Sequence, residues 1–215
     1  TLIDDVRFSP QAISSAIEAL KNGKPIYTDT NMIRAGISLA RLAGINSHYT
    51  PESIRCHIAD SDIAAEAKQR GLPRSLLAVR KAAPLLEGAI ILFGNAPVGL
   101  MELNRMIIEE GLKPALVVAV PVGFVHVTES KDETMGLDIP YIALRGRRGG
   151  SAIAVSVLHA LASLAAVKTE SNITKMAAKQ SREAVILMGH GSRVPGADSG
   201  MEQVARSIRE RLQGI

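Results

Sequence analysis

The sequence predicts an α/β domain built on a parallel sheet. Short apolar runs alternate with helical patterns along most of the chain, which is the signature of strands joined by crossover helices. Hydrophobic residues make up 47% of the chain, but aromatics only 3%, and Trp is absent, so the core has to be aliphatic. That composition suits strands of Val, Ile and Leu packed under Ala- and Leu-rich helices. A chain of 215 residues is long enough to bury such a core, and part of a second unit besides.

The elements follow in order. Ser9-Pro10 reads as an N-cap followed by Pro at the first helical position. The helix runs to Leu20, with Ala12, Ile13, Ala16, Ile17 and Leu20 on one face and Gly23 as its stop. Residues 25–28 form a short strand and 31–37 a short helix. Residues 53–59 alternate and read as a strand. Asp60 and Ser61 can cap a helix to Arg70, ended by Gly71, and a second helix spans 74–86. The continuous apolar run 89–93 predicts a central strand, and the next helix ends near Gly111. Residues 115–122 are the strongest strand, 129–135 are helical, 139–144 form another strand, and an Ala-rich helix runs to 166.

Residues 167–182 turn polar and read as a linker. Residues 183–215 then read as a partial βα segment, in which a strand at 184–188 leads through Gly189-His190-Gly191-Ser192-Arg193 to a helix. The domain organisation is therefore a 1–166 α/β domain, a linker and an appended βα unit. The chain begins with Thr1, and its natural start is expected upstream.

Composition excludes several classes. The net charge is +4 with basic residues scattered, and stacking aromatics are scarce, which argues against a nucleic-acid partner. A lone Cys56 excludes an internal disulfide framework and fits a reducing compartment. No apolar run reaches about 18 residues and no signal peptide is visible, so no membrane partner and a cytoplasmic location are expected. Phosphate motifs of the Gly-x-x-x-x-Gly-Lys-Ser/Thr type, and of the Gly-x-Gly-x-x-Gly type after the first strand, are missing, which makes nucleoside triphosphates and dinucleotides poor ligands.

In an open parallel sheet, ligands sit beyond the carboxyl ends of the strands. The loops there are Thr28-Asp29-Thr30-Asn31-Met32, Gly94-Asn95-Ala96-Pro97, the segment from Pro121-Val122-Gly123-Phe124 to Glu129-Ser130-Lys131, and Arg145-Gly146-Arg147-Arg148-Gly149-Gly150-Ser151. In the last, glycines allow close backbone approach and the helix opening at Gly149 to Ser151 presents N–H groups to an anion. Its arginines add fork-shaped donors for carboxylates or phosphates. A plain Gly-rich turn with solvated arginines, and simple capping by Asn95, Asp29 or Asn31, are the alternatives.

Among the histidines, His57 and His159 read as structural and His48 as solvated. His126 follows the strongest strand, and His190 stands between two glycines after a strand, where a metal ligand or acid/base group could sit.

As a set, Asp29-Thr30-Asn31-Met32 with Ala35-Gly36-Ile37, Gly94-Asn95-Ala96-Pro97, Pro121-Val122-Gly123-Phe124-Val125 with Glu129-Ser130-Lys131, and Pro140-Tyr141-Ile142 with Gly146 to Ser151 resemble the precorrin-8X methylmutase family, called cobalt-precorrin-8 methylmutase in the anaerobic route. The resemblance covers residues 1–165. It implies a three-layer flavodoxin-like fold, a homodimer with sites near its interface, and an isomerisation without a cofactor. In that reaction a methyl group moves from C11 to C12 of a tetrapyrrole polycarboxylate, giving hydrogenobyrinic or cobyrinic acid. The substrate-binding residues it implies are Thr28, Asp29, Thr30, Met32, Gly94, Asn95, Ala96, Pro97, Pro121, Val122, Gly123, Phe124, Glu129, Ser130, Lys131, Arg145, Gly146, Arg147, Gly149, Gly150 and Ser151. The family's catalytic histidine lies upstream of the stretch that matches Asp5 to Ser9, so it is expected before Thr1, and no histidine here matches its motif. Residues 185–193 resemble the opening of the sirohydrochlorin chelatases, which implies a metal-binding role for His190. A non-catalytic corrinoid carrier and a partial cobalt chelatase are the rival functions.

Overall fold

The apolar run at the middle of the chain becomes the middle of a six-stranded sheet. A computed structural model describes residues 2–166. In chain order the elements are β1 (Val6–Phe8), α1 (Ala12–Lys21), β2 (Ile26–Thr28), α2 (Asn31–Gly36), α3 (Leu39–Ala43), β3 (Ile54–Arg55), α4 (Ser61–Arg70), α5 (Arg74–Leu86), β4 (Ile90–Phe93), α6 (Pro97–Glu110), β5 (Leu116–Ala119), α7 (Val127–Met135), β6 (Tyr141–Leu144) and α8 (Ser151–Ala166). The spatial order is β1-β6-β5-β4-β2-β3. All neighbours are parallel except β1, which pairs antiparallel with β6, Val6 opposite Leu144.

Without β1, the parallel strands have the flavodoxin-like order, in which the chain reverses direction across the sheet between its first and third strands. Here those strands are β2 and β4. The antiparallel edge strand was not expected from the sequence, because three residues carry too little periodicity to read. It forms because Val6 to Phe8 find an open ladder on β6.

Ser9 continues that ladder. Its N–H donates to the Tyr141 carbonyl (3.0 Å), and its hydroxyl accepts from Tyr141 N–H (3.1 Å). The serine is therefore spent on the sheet, and Gln11, not Ser9, stands at the N-cap of α1. β3 is also shorter than the alternating run 53–59 suggested, with only Ile54 and Arg55 in the ladder.

Two apolar layers clamp the sheet. On one face α1, α2 and α8 pack Ala12, Ala16, Leu20, Ile33, Ala154, Leu158 and Leu161 against Ile26, Ile90, Leu92, Leu116 and Val118. On the other, α5, α6 and their neighbours pack Val79, Ala82, Leu86, Leu100 and Leu103 against Tyr27, Ile91, Phe93, Val117 and Ala119. Alternate residues of β4 and β5 point to opposite layers, as the two-residue period requires. The side chains of Ile90 to Phe93 are all fully buried. Each such side chain stabilises the fold by about 1.5–3 kcal/mol relative to exposure. Helix stops also follow the sequence: α4 and α6 end on Gly71 and Gly111 in the left-handed conformation.

Candidate functional site

The sheet order brings the strand-end loops together and the backbone ties them into one surface. Asp29 begins this surface. Its Oδ2 accepts from the N–H groups of Asn95 and Ala96, both at 2.7 Å, across 66 and 67 residues of sequence. The opening of α6 is therefore already capped by an internal carboxylate. Asn95 is not its cap, and these N–H groups are not free for an external anion. Desolvation raises the Asp29 pKa, and the backbone N–H donors oppose that rise. Its second oxygen, Oδ1, is buried without a hydrogen-bond partner among the described residues.

The β2 and β4 loops meet α8 through side chains. The Thr30 hydroxyl lies 3.2 Å from the Ser151 hydroxyl, and Ser151 Oγ donates to Asn95 Oδ1 at 3.1 Å. Thr30 also caps α2 by accepting from Ile33 N–H. Thr28 is buried and donates to backbone carbonyls. These residues build the floor.

Glycine permits the close contacts, and the partner is protein. A Cβ on Gly94 would lie 2.9 Å from Ser151 Cα and N. A Cβ on Gly149 would lie 2.1 Å from the Val120 carbonyl oxygen and 2.7 Å from that of Pro121. Glycine at 94 and 149 thus lets β4, β5 and the start of α8 touch backbone to backbone. At Gly149, the close approach that the sequence suggests for an anion is taken up by the protein's own backbone. Further backbone bonds complete the weave: Val122 N–H to Gly94 O (3.2 Å), Gly123 N–H to Arg147 O (3.3 Å) and Gly150 N–H to Val120 O (2.9 Å).

What faces outward is sparse and chemically distinct. Met32 is 69% exposed, Phe124 83%, Val125 71% and Val122 44%. Asn95, Glu129, Arg145, Arg147 and Arg148 are exposed, while Ala96, Pro97, Gly123, Gly146 and Gly150 are half-buried. The Arg147 guanidinium lies over the Phe124 ring, 5.8 Å from its centroid. Arg148 instead pairs with Asp5. Among the described residues neither Arg145 nor Arg147 has a carboxylate partner.

Pro121, Ser130 and Lys131 are buried and lie beneath this face. Ser130 sits with Asn104 and Thr134 in a network between α6 and α7, in which Asn104 Nδ2 donates to the Ser130 carbonyl at 3.0 Å and Thr134 Oγ1 to Asn104 Oδ1 at 2.9 Å. Asn104 was not singled out in the sequence. The readable signal was spacing: Val127, Ser130, Lys131 and Thr134 recur on one helical face, and that face is buried.

The histidines divide as their neighbours dictate. His57 pairs with Asp60 at 2.8 Å. His159 Nε2 accepts from Ser38 N–H at 2.9 Å, and burial lowers its pKa. His126 is exposed beside the site and, among the described residues, is the non-glycine residue with positive φ, at 57°. None is brought to the Asp29–Ser151 network. His190 and the 183–215 segment lie outside the described residues.

Comparison with known proteins points one way. The family model described as CbiC, precorrin-8X methylmutase, matches residues 1–164. Cobalt-precorrin-8 methylmutase of Leptospira interrogans is 42% identical over 174 residues, covering 76% of this chain and 76% of that protein. Precorrin-8X methylmutase of Pseudomonas aeruginosa is 38% identical, covering 75% of this chain and 76% of the other. A crystal structure of precorrin-8x methyl mutase from Thermus thermophilus superposes with a TM-score of 0.68 at 38% identity, covering 76% of each chain.

Proposed function

The chain belongs to the precorrin-8X methylmutase family and is an isomerase of cobalamin biosynthesis, and from that premise we propose that the joined strand-end loops are its substrate site. The reaction moves a methyl group from C11 to C12 of precorrin-8X or cobalt-precorrin-8, giving hydrogenobyrinic or cobyrinic acid. Substrate and product have the same composition, so no electron donor or acceptor enters.

The observation that carries the site assignment is that Arg145 and Arg147, with no carboxylate partner among the described residues, share the strand-end surface with exposed Met32, Val122 and Phe124, and that Arg147 lies over the Phe124 ring. A tetrapyrrole with acetate and propionate arms needs both. Its carboxylates suit guanidinium forks, and its ring face suits apolar side chains. The Asp29–Asn95–Ser151 network holds the loops that carry these groups, and Asn95 is its exposed member. A general acid that protonates the ring would favour the shift by changing its conjugation. That role is not given to any histidine of 2–166.

The same reading includes a homodimer. Val125 and Phe124 project from the rim of the site, where a second copy would cover apolar surface. No helix among the described residues is long and apolar enough to cross a membrane. A cytoplasmic location is part of the proposal, supported by a single cysteine with no disulfide partner in the chain.

The test is direct. Full-length protein, including the segment expected upstream of Thr1, is purified and mixed with precorrin-8X, or with its cobalt form, and the absorbance change of ring isomerisation is followed. Conversion is expected. Tight binding without conversion by folded protein would replace this reading with that of a corrinoid carrier. Light scattering checks the dimer, and a monomer at working concentration would remove that part.

A further inference from the structure

Lys131 is a cation in an unusual place. Its side chain is fully buried on α7. Its Nζ donates to the carbonyls of Gly146 (2.9 Å) and Arg148 (2.7 Å). Between them, the Arg147 carbonyl accepts from Gly123 N–H at 3.3 Å. Consecutive carbonyls at 146, 147 and 148 are therefore all drawn toward the protein. No carboxylate lies within ion-pair distance of this ammonium among the described residues. A buried charge without a counter-charge is costly, and carbonyl dipoles offset only part of the cost.

We propose that Lys131 is a positioning residue for the substrate site: it fixes the 145–151 loop with its carbonyls inward and Arg147 outward, and leaves a positive charge beneath the loop for an anionic arm of the substrate to balance. The inference rests on the function proposed above. Lys131 is behind the loop and is not a substrate contact. The α6–α7 network of Asn104, Ser130 and Thr134 anchors the helix from which it reaches.

Titration of this group is part of the device. Burial lowers the Lys131 pKa to about 8, with Asp132 on its own helix opposing the drop. Other charged groups on the surrounding elements are Glu129 and Glu133 on α7, Arg145, Arg147 and Arg148 of the loop, Asp5 paired with Arg148, and Glu102 on α6 held by Arg80 and Arg105. A neutral amine still donates to both carbonyls, so deprotonation removes the charge and keeps the loop. Charge and position are therefore separable.

The signs are opposite for folding and binding. The unfolded lysine keeps its proton to about pH 10.4. Between about pH 8 and that value the unfolded chain binds more protons, so fold stability rises with pH. Over the same rise, an anionic substrate loses an attractive charge.

The experiment uses the same full-length protein, with precorrin-8X as probe, from pH 6.5 to 9.5. Unaltered protein should show KM rising several-fold above pH 8 at nearly constant kcat, while the unfolding midpoint rises. Lys131→Gln keeps a donor but no charge, and should show raised KM, about ten-fold at pH 7, without the alkaline rise. Lys131→Met lacks both, and should in addition lose hydrogen-exchange protection of the Gly150 amide. KM unchanged in both variants, or a KM flat with pH in the unaltered protein, would overturn the proposal. So would a loss confined to kcat. The exchange and unfolding arms need no substrate: if the protein converts nothing but these arms behave as stated, the functional reading fails and the loop-positioning part stands.

Discussion

Two groups of charges on this molecule follow opposite rules. On the α4–α6 side the cations that line the cleft between these helices have carboxylate partners. Arg80 pairs with Glu102 and Glu110, Arg105 with Glu102, Glu109 and Glu110, and Lys81 with Asp60 and Asp62. At the strand ends, Arg145, Arg147 and Lys131 have none among the described residues, and only Arg148 is paired. In the cleft among Asp62, Glu66, Arg70, Arg80, Lys81, Glu102 and Arg105, each cation is held by a carboxylate. An anion arriving there would have to displace a carboxylate from each cation. At the strand ends it would meet charge that no carboxylate among the described residues balances. Exposed charge is cheap to hold in water, but buried Lys131 is not, and that is why the second group supports the site proposed above.

Substitutions can break this contrast. The largest effect is expected at Gly149→Ala, where the new Cβ would meet the Val120 carbonyl oxygen at 2.1 Å. Backbone cannot move aside as a flexible side chain can, so a loss of about 3 kcal/mol or more is expected, read by denaturant unfolding, together with loss of turnover. Equal stability would show that the two loops are not in contact. Arg147→Ala comes next. It should raise KM by roughly 10- to 100-fold, as expected for losing hydrogen bonds to a charged group, and leave the melting temperature within about a degree or two. A normal KM would remove Arg147 from the site.

Glu102→Gln tests the other group. Glu102 is 8% exposed and holds two arginines. Because those arginines are themselves partly solvated, its loss should cost only about 1–2 kcal/mol. Turnover should not change, and a raised KM would mean that the two groups are coupled. The smallest effect is expected at Lys81→Ala, whose carboxylate partners are open to water. Neither its melting temperature nor its KM should shift measurably, and a fall in either stability or activity would contradict the comparison.

The family of the chain was legible without coordinates. Loops at strand ends and glycines at helix stops are local signals, and each acts over a few residues. The strand Ile90–Phe93 and the helix Arg74–Leu86 are where hydrophobic pattern and terminators place them. Site residues were read less well. Asp29 and Lys131 stood out in the sequence as residues that touch a ligand, but the structure places them in the support. Their partners are backbone groups on other loops, and a backbone N–H or carbonyl has no letter in a sequence. His126 shows the same limit, since its positive φ depends on how the β5–α7 connection turns.

The sequence by itself determined the alternation of strands and helices, the aliphatic core, and the loops that lie at the strand ends, because burial and helix termination act through local pattern. Only the tertiary structure decided which donors face solvent. Asp29 caps a helix 66 residues away, Ser151 meets Thr30 across 121, and Lys131 turns the carbonyls of a distant loop inward. Such bonds need groups from separate segments within about 3 Å of each other. The sheet order creates that proximity, and the order of residues along the chain does not contain it.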